Sequence, residues 1–374
     1  MGQNRPITVA TLGSHSAIDI CEGAKREDLS TLVVCAKGRD SAYSKYYKSR
    51  TLFGRAVGCV DEVIVLEKLA DVASSGVVEQ MRERRGIFVP HKSLTAYAGY
   101  EVVEKGFAVP IFGNRMLLHA EERAGVGGAG AKDQNYLFSK AGIRVPRQFK
   151  APSQIDGLAI VKAPDERRGY YERAFFLCSS AAEYERKGQE LVEKGVVSKD
   201  GLQNALIEEF VLGAQVNFNF FYSPLNGELE LMGTDFRRQT NLDGLLRLPA
   251  QQQLEVLQSG VRESIVEVGH VAATVRESLL AQAFGQGEKF VDACRREYSP
   301  GIIGPFALQG AIAQEGMKET FVVFDASLRV PGSPGTRFTP YSHALWGDGV
   351  SVGRRIAMEI KQAFASDQLE KIVT

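Results

Sequence analysis

Residues 305–330 read PFALQGAIAQEGMKETFVVFDASLRV, and they hold the most informative pattern in the chain. Two apolar runs, FALQGAIA and TFVVFDASLRV, flank a polar connection, which predicts an antiparallel hairpin. The numbers of facing residues in such a hairpin add to a constant, so a turn centred on Met317 places Gln309 opposite Asp325. Facing side chains have Cβ atoms about 4.5–5.5 Å apart, and Arg329 follows Asp325 on the same face. We therefore expect an amide, a carboxylate and a guanidinium to converge.

The pair of Gln309 and Asp325 predicts a site for a divalent cation. Mg²⁺ prefers oxygen ligands and usually takes one or two from the protein and the others from water and phosphate. Mn²⁺ accepts the same donors. A lone amide and a lone carboxylate between apolar neighbours also need partners, because burying a polar group without one is costly. The alternative is an exposed polar ladder on a hairpin.

The N-terminal part of the chain, residues 1–118, predicts a doubly wound α/β lobe with a parallel sheet. Short β-branched runs alternate there with segments of helix length, as is typical of βαβ units. The runs are ITVATL (7–12), LSTLVVC (29–35), DEVIVL (61–66), GIFVP (86–90) and VPIFG (109–113).

Polar side chains directly follow three of these runs. Because ligands of open α/β sheets bind beyond the carboxyl ends of the strands, we expect one edge of the sheet to collect them. Hydroxyls and an arginine near a helix N-terminus suit a phosphate monoester. The alternative is that the serines are helix caps and the histidines lie in solvated loops. The residues concerned are Ser14, His15, Ser16, His91, Ser93 and Arg115.

The middle lobe, residues 119–213, predicts a mononucleotide site. A strand ending in Lys162 leads through a charged turn to a second strand, a helix and an acidic strand with Glu208 and Glu209. The lysine would neutralise phosphates, and the acidic strand would meet adenine and ribose. The alternative is a surface lysine and a solvated acidic face. The segment GVGGAG (125–130) follows a predicted helix rather than a strand, so we interpret it as a connector.

The last lobe, residues 214–374, predicts a second hairpin at 215–235 with an Asn-Gly turn. A polar loop follows at 237–244. Helices are predicted at 250–268, 275–284, 290–298 and 352–364.

Composition narrows the class of protein. The chain has 374 residues and a mass of 40.9 kDa. A single domain usually stops growing at ~250–300 residues, so we expect more than one domain. Lys plus Arg and Asp plus Glu each number 45, so no basic excess favours nucleic acid. The five cysteines form no CxxC pair, which favours a reducing cytoplasm without structural zinc or disulfides. No apolar run is long enough for a membrane helix.

The order of these pieces resembles the ATP-grasp superfamily, with an N-terminal doubly wound domain before the lysine hairpin. Particular phrases are similar to the archaeal formate-dependent synthetases that make 5-formaminoimidazole-4-carboxamide ribonucleotide. The resemblance covers almost the whole chain. The phrases are LGSHSAIDICEGAK, PHKSLTAYAGYEVVEKGFAVPIFGNR, FFYSPLNGELELMGTD, VRESLL, GIIGPFALQ and VGRRIAMEIK.

The resemblance implies a ligase of purine (IMP) biosynthesis. ATP, formate and 5-aminoimidazole-4-carboxamide ribonucleotide would give the formamido ribonucleotide, ADP and phosphate through formyl phosphate. Such phosphoryl transfer depends on positioning and on charge neutralisation by Lys, Arg and Mg²⁺. The resemblance also implies a homo-oligomer, a trimer or a hexamer, acting on small molecules alone.

The resemblance further implies roles for residues of this chain. His15 and Arg329 are expected to be catalytic. Substrate contacts are expected from Ser14, His15, Ser16, His91, Ser93, Asn241 and His270. ATP contacts are expected from Arg115, Lys162, Glu208, Glu209, Asn217 and Glu230. Gln309 and Asp325 are expected to bind Mg²⁺ or Mn²⁺.

The chain departs from the family pattern at the loop 165–169, which is charged instead of glycine-rich, at Arg337 and at His270, where Asn is expected. The departures leave open a catalytically impaired paralogue that binds a purine ribonucleotide or nucleotide in a regulatory or assembly role. His270 leaves open a ligase for another carboxylate and amine.

Overall fold

The computed structural model describes residues 7–121, 132–164, 173–261, 267–332 and 334–374. The charged loop at 165–169 and the glycine-rich segment at 125–130 lie outside the described residues. The chain forms two compact units. The first comprises Met1–Ile143, Gln215–Gln309 and Asp325–Thr374, and the second comprises Arg144–Ala214 and Gly310–Phe324.

The described strands and helices are numbered along the chain. The strands are β1 (Thr8–Leu12), β2 (Ser30–Ala36), β3 (Arg50–Leu52), β4 (Arg55–Val57), β5 (Glu62–Leu66), β6 (Gly86–Phe88), β7 (Gln148–Phe149), β8 (Ala159–Pro164), β9 (Arg173–Cys178), β10 (Leu206–Glu209), β11 (Gly213–Ser223), β12 (Glu228–Gln239), β13 (Glu267–Ala273), β14 (Gly304–Glu315) and β15 (Lys318–Ser327). The helices are α1 (Ala17–Arg26), α2 (Ser75–Glu83), α3 (Lys92–Ala98), α4 (Arg115–Ala120), α5 (Gln134–Ala141), α6 (Ala181–Glu193), α7 (Lys199–Gln203), α8 (Thr240–Leu245), α9 (Ala250–Gln258), α10 (Glu277–Glu297), α11 (Pro340–Trp346) and α12 (Val352–Ala365).

The parallel sheet of the first unit confirms the α/β prediction. Its strand order is β5-β2-β1-β6, and β1 pairs in parallel with both of its neighbours. The apolar run 109–113 is not a strand. It makes isolated bridges instead, a parallel one from Ile111 to Phe88 and an antiparallel one from Phe112 to Val373.

The two ends of the chain share one hydrophobic core. Ile20 and Ala24 of α1 are buried with Ile356 and Ile360 of α12. The helices approach closely because Gly353 has no side chain: a Cβ at that position would lie 2.2 Å from the Asp19 carbonyl oxygen. The compact units therefore divide the chain differently from the three predicted lobes.

The second sheet has the order β13-β12-β11-β14-β15 and contains both predicted hairpins. Three predictions were wrong here. The predicted polar loop 237–244 is the end of β12 followed by α8. The predicted helix 250–268 ends at Gln258, and β13 begins at Glu267. The two helices predicted between 275 and 298 are the single helix α10.

The second unit has an antiparallel sheet of order β7-β10-β8-β9. Its small core includes Phe149, Val161, Tyr184 and Ile207. The order of lysine strand, second strand, helix and acidic strand is as predicted. Among the described residues of the chain, no helix has both the length and the apolar character needed to cross a bilayer.

Candidate active site

A cavity of about 310 Å³ lies in the first unit. Six predicted site residues line it: His15, Ser93, Asn217, His270, Gln309 and Arg329. Residues that were not proposed as site residues line it as well, chiefly Lys92, Arg237, Glu267, Ser327 and Gly332. The two sets come from segments far apart in sequence.

The parallel sheet supplies one wall of the cavity. His15 follows β1 and has a φ of 44°, in the left-handed region. Ser93 lies in the first turn of α3, where its backbone N–H donates to Nδ1 of the capping residue His91. The carboxyl ends of β1 and β6 therefore bring these side chains together, as expected for ligand sites of parallel sheets.

The antiparallel sheet supplies the opposite wall. Asn217 of β11 pairs with Asp235 of β12, and Arg237 of β12 pairs with His270 of β13. The alternation of side chains along β12 puts its residues 235 and 237 on the same face. A carboxylate and a guanidinium from one strand thus meet the imidazole of the next.

Asp235 is the centre of a buried hydrogen-bond network. It is 1% exposed. Asn217 Nδ2 donates to its Oδ1 at 2.7 Å, and Asn219 Nδ2 donates to its Oδ2 at 2.5 Å. His270 Nδ1 lies 2.6 Å from Oδ1. A carboxylate with this many donors is an acceptor only, so His270 carries a hydrogen on Nδ1.

His270 is held in its protonated form by carboxylates on both sides. Its Nε2 lies 3.0 Å from Glu267 Oε1, an ion-pair contact rather than an aligned hydrogen bond. Burial alone would lower the pKa of His270, but Asp235 and Glu267 outweigh it and raise this pKa to about 9. His270 is therefore an imidazolium at neutral pH.

His15 is a neutral imidazole in the same cavity. Burial is the main cause that lowers its pKa below 6.5, and nearby Arg329, His270 and Arg237 add to this, while Glu267 opposes it. Its Nε2 lies 3.4 Å from Glu267 Oε1. The ring packs over Gly332, where a Cβ would lie 1.9 Å from His15 Cε1.

Cationic side chains predominate along the cavity wall. Lys92 Nζ and Arg329 Nη2 share the buried carboxylate of Glu121, at 3.4 and 3.0 Å from its Oε1. The Nε of Arg329 is buried and has no hydrogen-bond partner among the described residues. A buried donor in this state is costly, so an oxygen atom of a ligand in the cavity would satisfy it.

Four residues predicted to bind substrate are engaged within the protein. Ser14 and Ser93 hydrogen-bond each other through their hydroxyls at 3.0 Å. Ser16 donates to the Pro331 carbonyl oxygen, and His91 contacts the Leu12 carbonyl oxygen through Nε2 and the Ser93 N–H through Nδ1. We therefore interpret Ser16 and His91 as anchors of the cavity wall.

The predicted metal pair does not fit a shared cation in this arrangement. The only oxygen of the Gln309 side chain accepts a hydrogen bond from Arg237 Nη2 at 2.6 Å, and its amide donates to Ser327 Oγ at 2.9 Å. A guanidinium therefore contacts the oxygen at which the sequence predicted a divalent cation. Asp325 is partly buried at the end of β15. Among the described residues, no group of three or more His, Cys, Asp or Glu is arranged to hold a metal.

Three other predicted site residues lie away from the cavity. The guanidinium of Arg115 donates to the carbonyl oxygens of Val103 and Phe107, which gives it a structural role. Glu230 is buried in an ion pair with Arg355 at 2.8 Å. Asn241 is exposed at the start of α8. The prediction that these residues bind ligands is not supported by their surroundings.

The second unit holds the predicted nucleotide residues. Lys162 and Glu208 form a buried ion pair between β8 and β10. Glu209 accepts from Arg144 Nη2 at 2.9 and 3.0 Å and from the Arg147 N–H at 3.0 Å. Lys162 and Glu208 thus form a polar pair within the sheet, whereas Glu209 fixes the chain segment beside β7.

Glu267 and Arg237 are the main residues that the sequence did not identify. Both were placed in segments whose secondary structure was predicted wrongly. The segment EVGHVAA, which begins at Glu267, has no regular alternation of polar and apolar residues, so no local signal indicated a strand. A regular strand would also put residues 267 and 270 on opposite faces, whereas the pairing of β12 with β13 is irregular beside Glu267.

The chain matches two family models. One, described as a protein of unknown function (DUF1246), covers residues 9–149, and the other, a domain of unknown function (DUF1297), covers residues 183–374. A curated relative from Methanopyrus kandleri is named 5-formaminoimidazole-4-carboxamide-1-(beta)-D-ribofuranosyl 5'-monophosphate synthetase. It is 39% identical over 368 residues, which are 98% of this chain and 95% of the relative.

Solved structures show the same architecture. The crystal structure of an IMP biosynthesis protein PurP from Thermococcus kodakaraensis matches with a TM-score of 0.70 and 28% identity over 98% of this chain and 100% of that one. An ADP complex of purK, N5-carboxyaminoimidazole ribonucleotide synthetase, matches with a TM-score of 0.56 over 93% of this chain and 80% of that one. At 12% identity the second match is a likeness of fold alone, and the fold is of the ATP-grasp type.

Proposed function

The chain belongs to the family of the 5-formaminoimidazole-4-carboxamide ribonucleotide synthetases, ATP-dependent ligases of purine biosynthesis, and we propose that it carries out this ligation in the cavity of its first unit. The substrates are small molecules: ATP, formate and 5-aminoimidazole-4-carboxamide ribonucleotide. The product is the formamido ribonucleotide, with ADP and phosphate.

The unsatisfied Arg329 Nε is the observation that carries this proposal. A buried donor among Lys92, Arg237 and the imidazolium of His270 favours an anionic ligand rich in oxygen. Glu267 is the one carboxylate among the residues described as lining the cavity. A ribonucleotide phosphate, or an acyl phosphate, has the matching charge.

The geometry suits acyl transfer to an amine. We propose that formate first takes the γ-phosphoryl group of ATP, giving formyl phosphate and ADP. The substrate's amine then attacks the formyl carbon, a carbon–nitrogen bond forms, and the carbon–oxygen bond to phosphate breaks. The leaving phosphate keeps the electron pair, and the amine loses a proton. Neutral His15 is a group in the cavity that can accept that proton.

Further contacts are proposed for ATP and for the metal that accompanies it. Lys162 is proposed to contact the phosphates of ATP from the second unit, with Glu208 at the nucleoside. Mg²⁺ is proposed as the ion that accompanies ATP, with Asp325 as a ligand. Because Arg237 occupies the oxygen of Gln309, we assign no step to the metal.

Phosphate release from ATP tests the proposal. Protein, Mg²⁺, formate and the aminoimidazole ribonucleotide are combined with ATP, and one component is omitted at a time. Release that needs every component, together with a formylated product by mass spectrometry, is the expected result. If the ribonucleotide raises the melting temperature but no phosphate appears, the chain binds the substrate without ligating it and the proposal is wrong.

We also propose that the protein is a homo-oligomer, a trimer or a hexamer. The support is the membership of the family, for which the sequence resemblance implies assembly. Size-exclusion chromatography with light scattering would give the mass in solution. A mass near the chain's own 40.9 kDa would contradict the proposal.

A further inference from the structure

A chain of polar contacts runs through the cavity wall to His15. It begins at buried Asp235, passes through His270 and ends at Glu267, whose Oε1 lies 3.0 Å from His270 Nε2 and 3.4 Å from His15 Nε2. The second oxygen of Glu267 lies 3.4 Å from Arg237 Nε. Glu267 therefore stands between two cations and one neutral imidazole.

The two cations keep Glu267 ionised. Burial would raise the pKa of this carboxyl, but His270 and Arg237 outweigh it and lower the pKa. An ionised carboxylate can only accept hydrogen bonds. The nitrogen of His15 that faces it must then be the one that carries hydrogen.

We propose that Glu267 is a positioning residue that holds His15 in the tautomer with its hydrogen on Nε2, which leaves Nδ1 to accept the proton released in the ligation. His270 and Arg237 support it by fixing the orientation of the carboxylate. The role of Nδ1 rests on the proposed function, whereas the tautomer rests on the cavity alone.

The fit of the ring over Gly332 supports a fixed orientation. The position of a Cβ at residue 332 would lie 1.9 Å from His15 Cε1 and 2.6 Å from Nδ1. The ring therefore fills the space that a side chain would occupy. Rotation of the ring by half a turn about the Cβ–Cγ bond would put Cε1 in the place of Nε2 and so remove the nitrogen that faces Glu267. That arrangement would lose the contact between the N–H group and the carboxylate, so one orientation is favoured.

The tautomer can be measured without substrate. Protein labelled with ¹⁵N-histidine is examined by long-range ¹H–¹⁵N correlation at pH 8. The chain has five histidines, and a His15→Gln variant identifies the His15 signals by their loss. We expect hydrogen on Nε2 and an unprotonated Nδ1. Hydrogen on Nδ1 in the wild-type protein would overturn the inference.

The Glu267→Gln variant tests whether the carboxylate of Glu267 is the cause of the His15 tautomer. We expect a mixture of His15 tautomers and a kcat lower by roughly 10- to 100-fold, part of the ~10²–10⁴-fold that a positioned base contributes. KM for ATP should not change. Glu255→Gln is the control, because it removes a carboxylate from an exposed site on α9. An unchanged tautomer and kcat in Glu267→Gln would refute the role of the carboxylate.

The outcomes separate this inference from the proposed function. If the wild-type protein has the Nε2–H tautomer but no ligase activity, the proposed function is wrong and the positioning by Glu267 stands. If the protein is active and His15 carries hydrogen on Nδ1, the ligase stands and this inference fails. A lower melting temperature of Glu267→Gln with an unchanged tautomer would indicate a purely structural carboxylate, which also refutes it.

Discussion

Replacing Gly332 by alanine should disable the cavity while leaving the fold intact. The added Cβ would lie 1.9 Å from His15 Cε1 and 3.0 Å from Glu267 Oε1. Gly332 does not have a left-handed backbone, so alanine can adopt its conformation without strain. The effect of the substitution therefore comes from the contact with the His15 ring.

The size of the effect follows from ordinary contact distances. Carbon atoms in contact lie about 3.5–4.0 Å apart, so the ring must retreat by about 2 Å. A misplacement of ~1 Å can already cost on the order of 100-fold in rate, which is about 2.7 kcal/mol in the activation free energy. We expect kcat/KM to fall by at least that factor of roughly 100.

The stability should change little. The His15 side chain is 33% exposed and can turn toward solvent. Alanine also lowers the conformational entropy of the unfolded chain relative to glycine. This effect stabilises the fold and opposes the free energy of unfolding that is lost to crowding. We expect the free energy of unfolding to stay within about 1 kcal/mol of the wild-type value.

The assay compares Gly332→Ala with Gly335→Ala. Gly335 lies three residues further along the chain, in a 3-10 helix, and a Cβ there would meet nothing within 4 Å. Steady-state ligation rates and urea unfolding are measured for both variants. If Gly332→Ala keeps wild-type kcat/KM, or if Gly335→Ala loses as much, the close packing of His15 over residue 332 does not matter for the reaction and our reasoning is refuted.

Three further outcomes are expected. Arg355→Leu leaves two buried carboxylates without their cation and should lower the free energy of unfolding by about 3–5 kcal/mol in urea titrations. Arg354→Leu, at a partly exposed site, should lower it by less than about 1 kcal/mol. Equal losses in the two variants would contradict the role of the buried ion pairs. Lys162→Ala should weaken ATP binding by at least about tenfold in calorimetry, whereas Lys150→Ala, at an exposed site, should not weaken it. Unchanged ATP binding in Lys162→Ala would show that the lysine strand is assigned wrongly. Because the pKa of His270 is raised from 6.5 to about 9, its contribution to stability is complete below pH 6.5 and is lost as the pH rises through about 9. The melting temperature of the wild-type protein should fall over this window more than that of His270→Asn, and parallel curves would argue against the imidazolium.

The elements of the fold were mostly predictable because their signals are local. The parallel strands are short apolar runs between segments of helix length, and the hairpin at 215–235 has an Asn-Gly turn between alternating strands. The strand β13 was missed because it is an edge strand with little burial, so its apolar alternation is weak. Pairing with β12 stabilises it, and that pairing is not visible in a local window.

The site was predictable where a residue type is unusual for its place. His15 and Ser93 follow apolar strands, and Gln309 interrupts one, so each was noticed. Arg237 and Glu267 were missed because charged residues at strand ends are usually solvated. Their burial against other polar side chains depends on the contacts of the whole unit.

The sequence alone therefore predicted the architecture, the family resemblance and six residues of the cavity. These predictions were possible because hydrophobic periodicity, turn residues and motifs depend on residues that are close together in the sequence. Only the tertiary structure decided which polar groups meet. It put Arg237 on the oxygen of Gln309, where a metal was expected, and it placed Glu267 between His270 and His15. Protonation depends on distance and burial, and these arise when residues separated by hundreds of positions pack together.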